Sequence, residues 1–303
     1  MTDIIVIGAG PAGLTAAVYA CRAGKSVLVI EKGGFGGQIT YSPKVENFPG
    51  NQEISGMELA EQFTDHAIAM GAELTVGTVE KIEEANGIKR VVCDDGETYE
   101  AKAVIVATGA RHRLLGLDRE EDLIGNGISF CAVCDGSFFE GQDVAIVGGG
   151  NSALQEAILL SEVCKSVTVI QNLANFTGES KLVDILTKRS NVTCHFNTVV
   201  TSLLGADELT GITVKNSESG EESTLAVNGL FVAIGLVPET EAFADVLPLN
   251  KWGYADIGED CKSTVQGIFA AGDCRSKAVR QLTTACADGS VAALAACHYI
   301  DEM

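Results

Sequence analysis

The sequence predicts an α/β protein of two three-layer domains, the second inserted into a discontinuous first. Three observations carry this. A strand, glycine turn, helix and strand open the chain at residues 3–7, 8–13, 11–23 and 26–30, and the same unit returns at 143–147, 148–150, 152–163 and 166–170. Each unit is followed at a distance by an apolar strand ending in glycine, 103–107 before Thr108-Gly109 and 230–234 before Gly235. A last strand-turn, 268–271 before Gly272-Asp273, and a helical tail, 283–299, follow after the second unit has closed. Strands alternating with helices argue for parallel sheets. The expected first domain is 1–113 with 241–303, and the expected insert is 114–240, with crossings near 111–117 and 238–243.

Taken in order, the first strand begins at once, with no basic leader or cleavage site, so the amino terminus is not read as a signal peptide. Between the two units lies a helix with Leu59, Phe63 and Met70 on one side, then short alternating strands within 73–102. Apolar runs stay far below the ~20 residues of a membrane span, so a soluble cytoplasmic protein is expected. Lys+Arg 21 against Asp+Glu 41 gives a net charge of −20, which repels nucleic acid and anionic lipid. Hydrophobic residues at 46% exclude a disordered chain.

The first glycine turn, Gly8-Ala9-Gly10-Pro11-Ala12-Gly13, stands between a strand and a helix, the context that a dinucleotide site needs. Gly8 allows the tight turn, Gly10 lets backbone approach a pyrophosphate, and Gly13 lets the helix pack on the sheet. The helix N-terminus offers free N–H groups to phosphate. Glu31, about 20 residues on at the end of the next strand, suits ribose hydroxyls. Both domains are therefore expected to be Rossmann-like dinucleotide-binding domains.

Eight of the ten cysteines are scattered singly, mostly in apolar stretches, and read as small core residues in a reducing compartment. Cys131-Ala-Val-Cys134 is different. Zinc would want a second pair or histidine partners, and His66, His112, His195 and His298 are dispersed, so no metal is expected. A redox-active disulfide is the favoured reading, with inert packing as the bland alternative.

Several segments, in order, resemble the low-molecular-weight bacterial thioredoxin reductases: Gly36-Gly37-Gln38, Val45-Glu46-Asn47-Phe48-Pro49-Gly50, Ala107-Thr108-Gly109-Ala110, Cys131-Ala132-Val133-Cys134-Asp135-Gly136, Gly272-Asp273 and Arg280-Gln281. The likeness runs almost end to end. It implies FAD in the first domain and a homodimer. Gln38 and Asn47 would contact the flavin, Asp273 the ribityl chain, and the backbone at Arg280-Gln281 the pyrimidine edge. Lys32, Gly37, Thr108, Gly109, Gly272 and Leu282 complete the implied FAD site with Pro11 and Ala12. The resemblance also assigns Cys134 to the flavin, Cys131 to attack on thioredoxin, and Asp135 to acid–base work. In this family one domain rotates against the other, and the glycines of Leu115-Gly116-Leu117 and Ile234-Gly235-Leu236 are compatible with hinges.

The second turn, Gly148-Gly149-Gly150-Asn151-Ser152-Ala153, is expected to hold the pyrophosphate of NAD(P)H through Gly148, Gly150, Asn151, Ser152 and Ala153. The family shows His-Arg-Arg-x-x-x-Arg after the next strand. Here the run is Gln171-Asn172-Leu173-Ala174-Asn175-Phe176-Thr177, without arginine or carboxylate. Charge-assisted contacts to a 2′-phosphate are lost. Gln171 and Asn172 could hydrogen-bond an unphosphorylated ribose, giving an NADH-preferring or relaxed enzyme. NADPH bound poorly is a second reading, and reduced ferredoxin as donor a third, though an acidic surface would repel an acidic ferredoxin. Reduction of another dithiol carrier, or a non-catalytic redox sensor, are the competing functions.

Overall fold

The computed structural model describes residues 1–42, 44–85 and 87–303. The chain folds as two compact units, Met1–Arg111 with Val237–Met303, and His112–Leu236.

In the first unit the strands are β1 (Thr2–Ile7), β2 (Val27–Glu31), β3 (Glu73–Val76), β4 (Val79–Ala85), β5 (Ile88–Cys93) and β6 (Thr98–Val106). The short strand β7 (Ala110–His112) carries the chain out of it. Helix α1 (Pro11–Arg22) joins β1 to β2, and α2 (Gly56–Ala69) precedes β3. The sheet order is β3-β2-β1-β6-β5-β4. β6 is longer than the expected strand because it serves two partners. Its first residues pair antiparallel with β5, Arg90 opposite Glu100, and its last pair parallel with β1, Val106 opposite Ile7.

In the second unit β8 (Ile128–Ser129) leads to the one-turn helix α3 (Ala132–Asp135), then β9 (Asp143–Val147), α4 (Asn151–Val163), β10 (Ser166–Ile170), α5 (Ser180–Leu186) and β11 (Val192–His195). A meander of β12 (Thr198–Leu204), β13 (Gly211–Asn216) and β14 (Glu222–Leu225) follows, then β15 (Gly229–Val232). The parallel sheet runs β11-β10-β9-β15-β8. β16 (Leu236–Pro238) leads back, β17 (Ile268–Ala270) pairs parallel with β6, and α6 (Leu282–Asp301) ends the fold.

The inner strands β1, β9, β15 and the end of β6 are buried on both faces, which is why they read as unbroken apolar runs. In β1, Ile4 and Val6 face a core with Leu14, Ala17, Ala292 and Ala296, while Ile5 and Ile7 face Leu28, Val91, Phe243 and Leu247. In β9, Val144 and Ile146 meet Leu154 and Leu160, and Ala145 and Val147 meet Ile212 and Leu230. Among the described residues no helix is long and apolar enough to cross a membrane.

The segment Leu115-Gly116-Leu117 is held. The Glu120 carboxylate, itself 2% exposed, accepts the amides of Leu115, Gly116 and Leu117 at 2.8, 2.8 and 3.2 Å. Gly235, at φ +104° with open space around its missing Cβ, is bonded through its carbonyl, which accepts the Arg113 amide at 3.0 Å.

Helix α1 approaches β1 so closely that a Cβ on Gly13 would lie 1.9 Å from the Gly8 carbonyl oxygen. Backbone cannot yield there as a flexible side chain would. Gly13→Ala is expected to cost about 3 kcal/mol or more through overpacking, measured as a lowered urea midpoint. An unchanged midpoint would contradict this packing.

Candidate active site

The first glycine turn is shaped by close backbone. Gly8 has φ +103°, and a Cβ there would meet the Ala107 carbonyl oxygen at 2.5 Å. Gly10 is the N-cap of α1 and Pro11 its first residue, a position where a missing N–H costs nothing. Gly36 donates to the Ala9 carbonyl at 2.8 Å, and a Cβ on Gly37 would sit 3.0 Å from the Gly10 Cα. The Gly36-Gly37-Gln38 segment therefore lies against the turn. Glu31 accepts the Ala9 amide at 2.7 Å and the Gly33 amide at 2.9 Å, so it braces the loop while keeping lone pairs for ribose donors. Lys32 points elsewhere, into an ion pair with Glu239.

At the ends of β6 and β17 two buried polar atoms lack partners: the Thr108 hydroxyl and Oδ1 of Asp273. Burial pushes the Asp273 carboxyl up, partly offset by Lys277 and Arg280. Buried unpaired polar groups are costly unless a ligand satisfies them. Arg280 donates to the carbonyls of Lys277 and Arg275, both at 3.1 Å, and lies over the Tyr254 ring. Gln281 caps α6 with Thr284 in a capping box and receives a hydrogen bond from Asn47 at 3.3 Å. Thus Asn47 and Gln281, 234 residues apart, meet, with Leu282 beginning the helix beside them. A phosphate-ready helix N-terminus, an acid at the next strand end and two orphaned hydroxyl-seeking atoms fit FAD.

The turn holding Asp273 is clamped by residues that the sequence reading missed. Asp288 of α6 accepts the Gly272 amide at 3.0 Å, Arg275 at 2.8 Å and Lys277 at 2.9 Å. Arg275 also donates to the Gly258 carbonyl at 2.6 Å. Nothing in the local spacing marks Asp288 as the partner of the turn that precedes its helix.

Cys131 and Cys134 form a disulfide across α3, with Cα atoms 5.3 Å apart. Cys131 is the N-cap, and its Sγ accepts the Cys134 amide at 3.1 Å. Asp135 accepts the Ser129 hydroxyl at 2.6 Å, and Ser129 in turn accepts the Cys131 amide at 3.1 Å. The other Asp135 oxygen is buried without a partner, and burial pushes this carboxyl up despite Ser129. Glu156 of α4 accepts the Ala132 amide at 3.2 Å and is pushed up to about 7 by burial. Ser129 and Glu156 were also missed; both act on backbone amides, which leave no pattern in side-chain spacing.

The second turn repeats the first in backbone. Gly148 has φ +138°, its Cβ would lie 2.4 Å from the Ala233 carbonyl oxygen, and Ala153 is fully buried. Gly150 caps α4. Its surroundings differ. Gln171 is 4% exposed, donates to the Asn175 carbonyl at 3.0 Å, and lies where a Cβ on Gly149 would go. Thr177 and Gly178 donate their amides to the Gly149 carbonyl at 2.8 and 3.0 Å. The Asn151 side chain exchanges two hydrogen bonds with Glu179, at 2.7 and 2.9 Å. Ser152 and Asn172 are exposed. Among the described residues no cluster could hold a metal ion.

Comparison with known proteins places these features in context. The model of the family described as "Pyridine nucleotide-disulphide oxidoreductase" matches residues 2–289. A Clostridium pasteurianum protein named "34.2 kDa protein in rubredoxin operon" is 42% identical, over 98% of this chain and 97% of its own. Thioredoxin reductase of Bacillus subtilis (strain 168) is 39% identical, over 99% of this chain and 95% of its own. The crystal structure of thioredoxin reductase from Streptococcus pyogenes MGAS5005 superposes with a TM-score of 0.94 at 38% identity, covering 100% of this chain and 99% of that one.

The raised Glu156 carboxyl has a consequence for stability. Folding favours its protonated form, so the native state holds a proton that the unfolded chain releases above about pH 4.5. Its contribution is fully present below that pH and is lost as pH rises to about 7. Relative to the wild type, Glu156→Gln should abolish this decline, read as urea midpoints across that window. Parallel pH profiles for the two proteins would contradict the burial.

Proposed function

The chain belongs to the pyridine nucleotide-disulphide oxidoreductase family, and from that premise we propose how its own residues carry out the reduction. It is a thioredoxin-disulfide reductase working through FAD and the Cys131–Cys134 pair. The observation that carries this reading is the disulfide set across a one-turn helix, with Asp135 linked through Ser129 to the Cys131 amide.

Bound FAD supplies the electron pair that reopens the disulfide. The first turn and α1 N-terminus would hold its pyrophosphate, Glu31 its ribose, and Thr108 and Asp273 its remaining hydroxyls. The Asn47–Gln281 pair and the Gly37-Gln38 backbone would line the flavin end. Asp288 would act on Asp273 from behind, through Arg275, Lys277 and the Gly272 amide.

Cys131, as thiolate, bonds to one sulfur of the partner disulfide, and that bond breaks with its electron pair on the leaving sulfur. Cys134 then displaces the partner and re-forms the Cys131–Cys134 bond. The partner gains two electrons and the pair loses two. Asp135 takes the proton of the attacking thiol and returns one to the departing sulfur; burial raises its proton affinity, in the direction that this role needs.

The electron donor is a pyridine nucleotide lacking a 2′-phosphate, NADH in preference to NADPH. The support is the neutral run after β10, which offers a phosphate no cation. A second reading, a reduced ferredoxin as donor, is favoured by a separate observation: Gln171 is folded onto Gly149 rather than presented to a ribose, and Thr177–Glu179 bond to the turn. We place the protein in the cytoplasm, where eight unpaired cysteines stay reduced. We take it to act as a homodimer; exposed Tyr19, Val291 and Leu294 lie on α1 and α6, which pack on each other.

Two measurements test this. Anaerobic titration of the yellow protein should bleach flavin absorbance with NADH at about tenfold lower concentration than with NADPH. Bleaching by reduced ferredoxin alone would establish the second reading, and equal responses to both nucleotides would remove the donor preference. In the Cys134→Ser protein, reduced thioredoxin release should fall below detection while a mixed disulfide on Cys131 accumulates, seen by peptide mass spectrometry. Accumulation on no cysteine would contradict the exchange.

A further inference from the structure

Helix α3 is a single turn and cannot hold itself together; its conformation depends on what it rests against. It rests on α4 at both ends. At its start the Ala132 amide donates to Glu156 Oε2 at 3.2 Å. At its end Gly136 comes so near Leu160 that a Cβ would lie 3.4 Å from its Cδ2. Glu156 and Leu160 are four residues apart and share one face of α4.

The amides around the redox pair are therefore divided. Cys134 gives its amide to Cys131 Sγ, Cys131 gives its own to Ser129 backed by Asp135, and Ala132 gives its own to Glu156. Amides at a helix N-terminus are what stabilise a thiolate and depress its pKa. Glu156 withdraws one of them and, when ionised, adds a negative charge beside the pair. An attacking thiol is fastest when its pKa lies near the ambient pH, since a strongly depressed thiolate is a weaker nucleophile.

We propose that Glu156 is a positioning residue for disulfide exchange: by taking the Ala132 amide it fixes the turn that carries Cys131 and keeps the Cys131 thiolate from being over-stabilised. This rests on the reading of Cys131 as the attacking thiol. The titratable groups that α3 brings towards Glu156 are Cys131, Cys134 and Asp135, and the segment Gly136–Phe139 brings none. α4 itself carries Glu162, α5 carries Lys181 and Asp184, and β9 carries Asp143. None of these charges contributes to the state of Glu156, which is set by burial against the Ala132 amide.

The test uses FAD-loaded Cys134→Ser protein, in which the Cys131 thiol is free, and follows iodoacetamide labelling of Cys131 against pH by peptide mapping. Adding Glu156→Gln preserves an oxygen for the Ala132 amide but removes the charge. The labelling midpoint should move down, with several-fold more thiolate around pH 7, where Glu156 becomes ionised, and an unchanged acid end. Glu156→Leu also frees the amide and should move it further. A midpoint that stays put or rises in Glu156→Gln overturns the proposal. Should that variant fail to retain FAD, the profile with Glu156 intact decides. It should depart from a single titration near pH 7, where Glu156 loses its proton, and should still do so in Asp135→Asn. A single-site curve overturns the proposal. The mixed-disulfide trap reports independently on which cysteine attacks, so failure of that reading and failure of the Glu156 role are separate outcomes.

Discussion

Everything in the first unit depends on how closely its backbone packs at the first glycine turn. Gly13 sits on the Gly8 carbonyl, and Gly8 on the Ala107 carbonyl, with no room for a methyl group at either. That contact brings the α1 N-terminus to the ends of β1 and β6. Because β2, β1, β6 and β17 are mutually parallel, their carboxyl ends form one edge. Glu31, Gly8, Thr108 and Gly272-Asp273 are the residues immediately at or after those four ends. Parallel sheets bind ligands along this edge because helix N-termini and strand-end side chains converge there. The FAD site proposed above is thus a product of strand direction, with each element contributing one or two groups.

The second unit uses the same construction for two purposes. β8, β15, β9 and β10 are parallel, so Ser129 and the cysteine helix, Ala233, Gly148 and Gln171 all fall at one edge. The redox pair and the second glycine turn are therefore neighbours in topology, although Cys134 precedes Gly148 by a whole strand. What differs from the first unit is what fills the edge. At β2 the strand-end acid bonds loop amides and remains able to accept more, whereas at β10 the strand-end amide is itself buried and spent on Asn175. A glycine turn fixes where a pyrophosphate can lie; the residue after the neighbouring strand decides which nucleotide is welcome. In this chain those two determinants have parted.

The pattern of glycine turns and apolar runs made most of this legible. Strands 143–147 and 166–170 match the structure to the residue, and the other parallel strands and their helices differ by only a residue or a few at an end. The exception is β6, whose antiparallel half reads as part of a separate strand because residues 98–102 are half exposed while 103–106 are buried on both faces. Individual contacts were less legible. Glu31 was placed by spacing, yet its bonds to the Ala9 and Gly33 amides depend on the shape of the loop. Asp288, Ser129, Glu156 and Glu120 all bind backbone amides, and an amide is present at every position except proline. Sequence spacing registers side chains that recur or cluster; it is blind to a single carboxylate whose partner is the main chain.

The chemistry of the ten cysteines follows from the same difference between main chain and side chain. Five of the eight unpaired cysteines are buried and three partly so. Burial, the largest cause in each, pushes Cys164 and Cys274 up to about 11 and Cys261 up to about 12. Such thiols carry almost no thiolate near neutrality and do not compete for a disulfide. Cys131 is held in another way. It sits at a helix start, its sulfur already accepts an amide, and the acids beside it are bonded to Ser129 and to the Ala132 amide. The buried thiols are held protonated, and the proposed exchange falls to the Cys131–Cys134 pair.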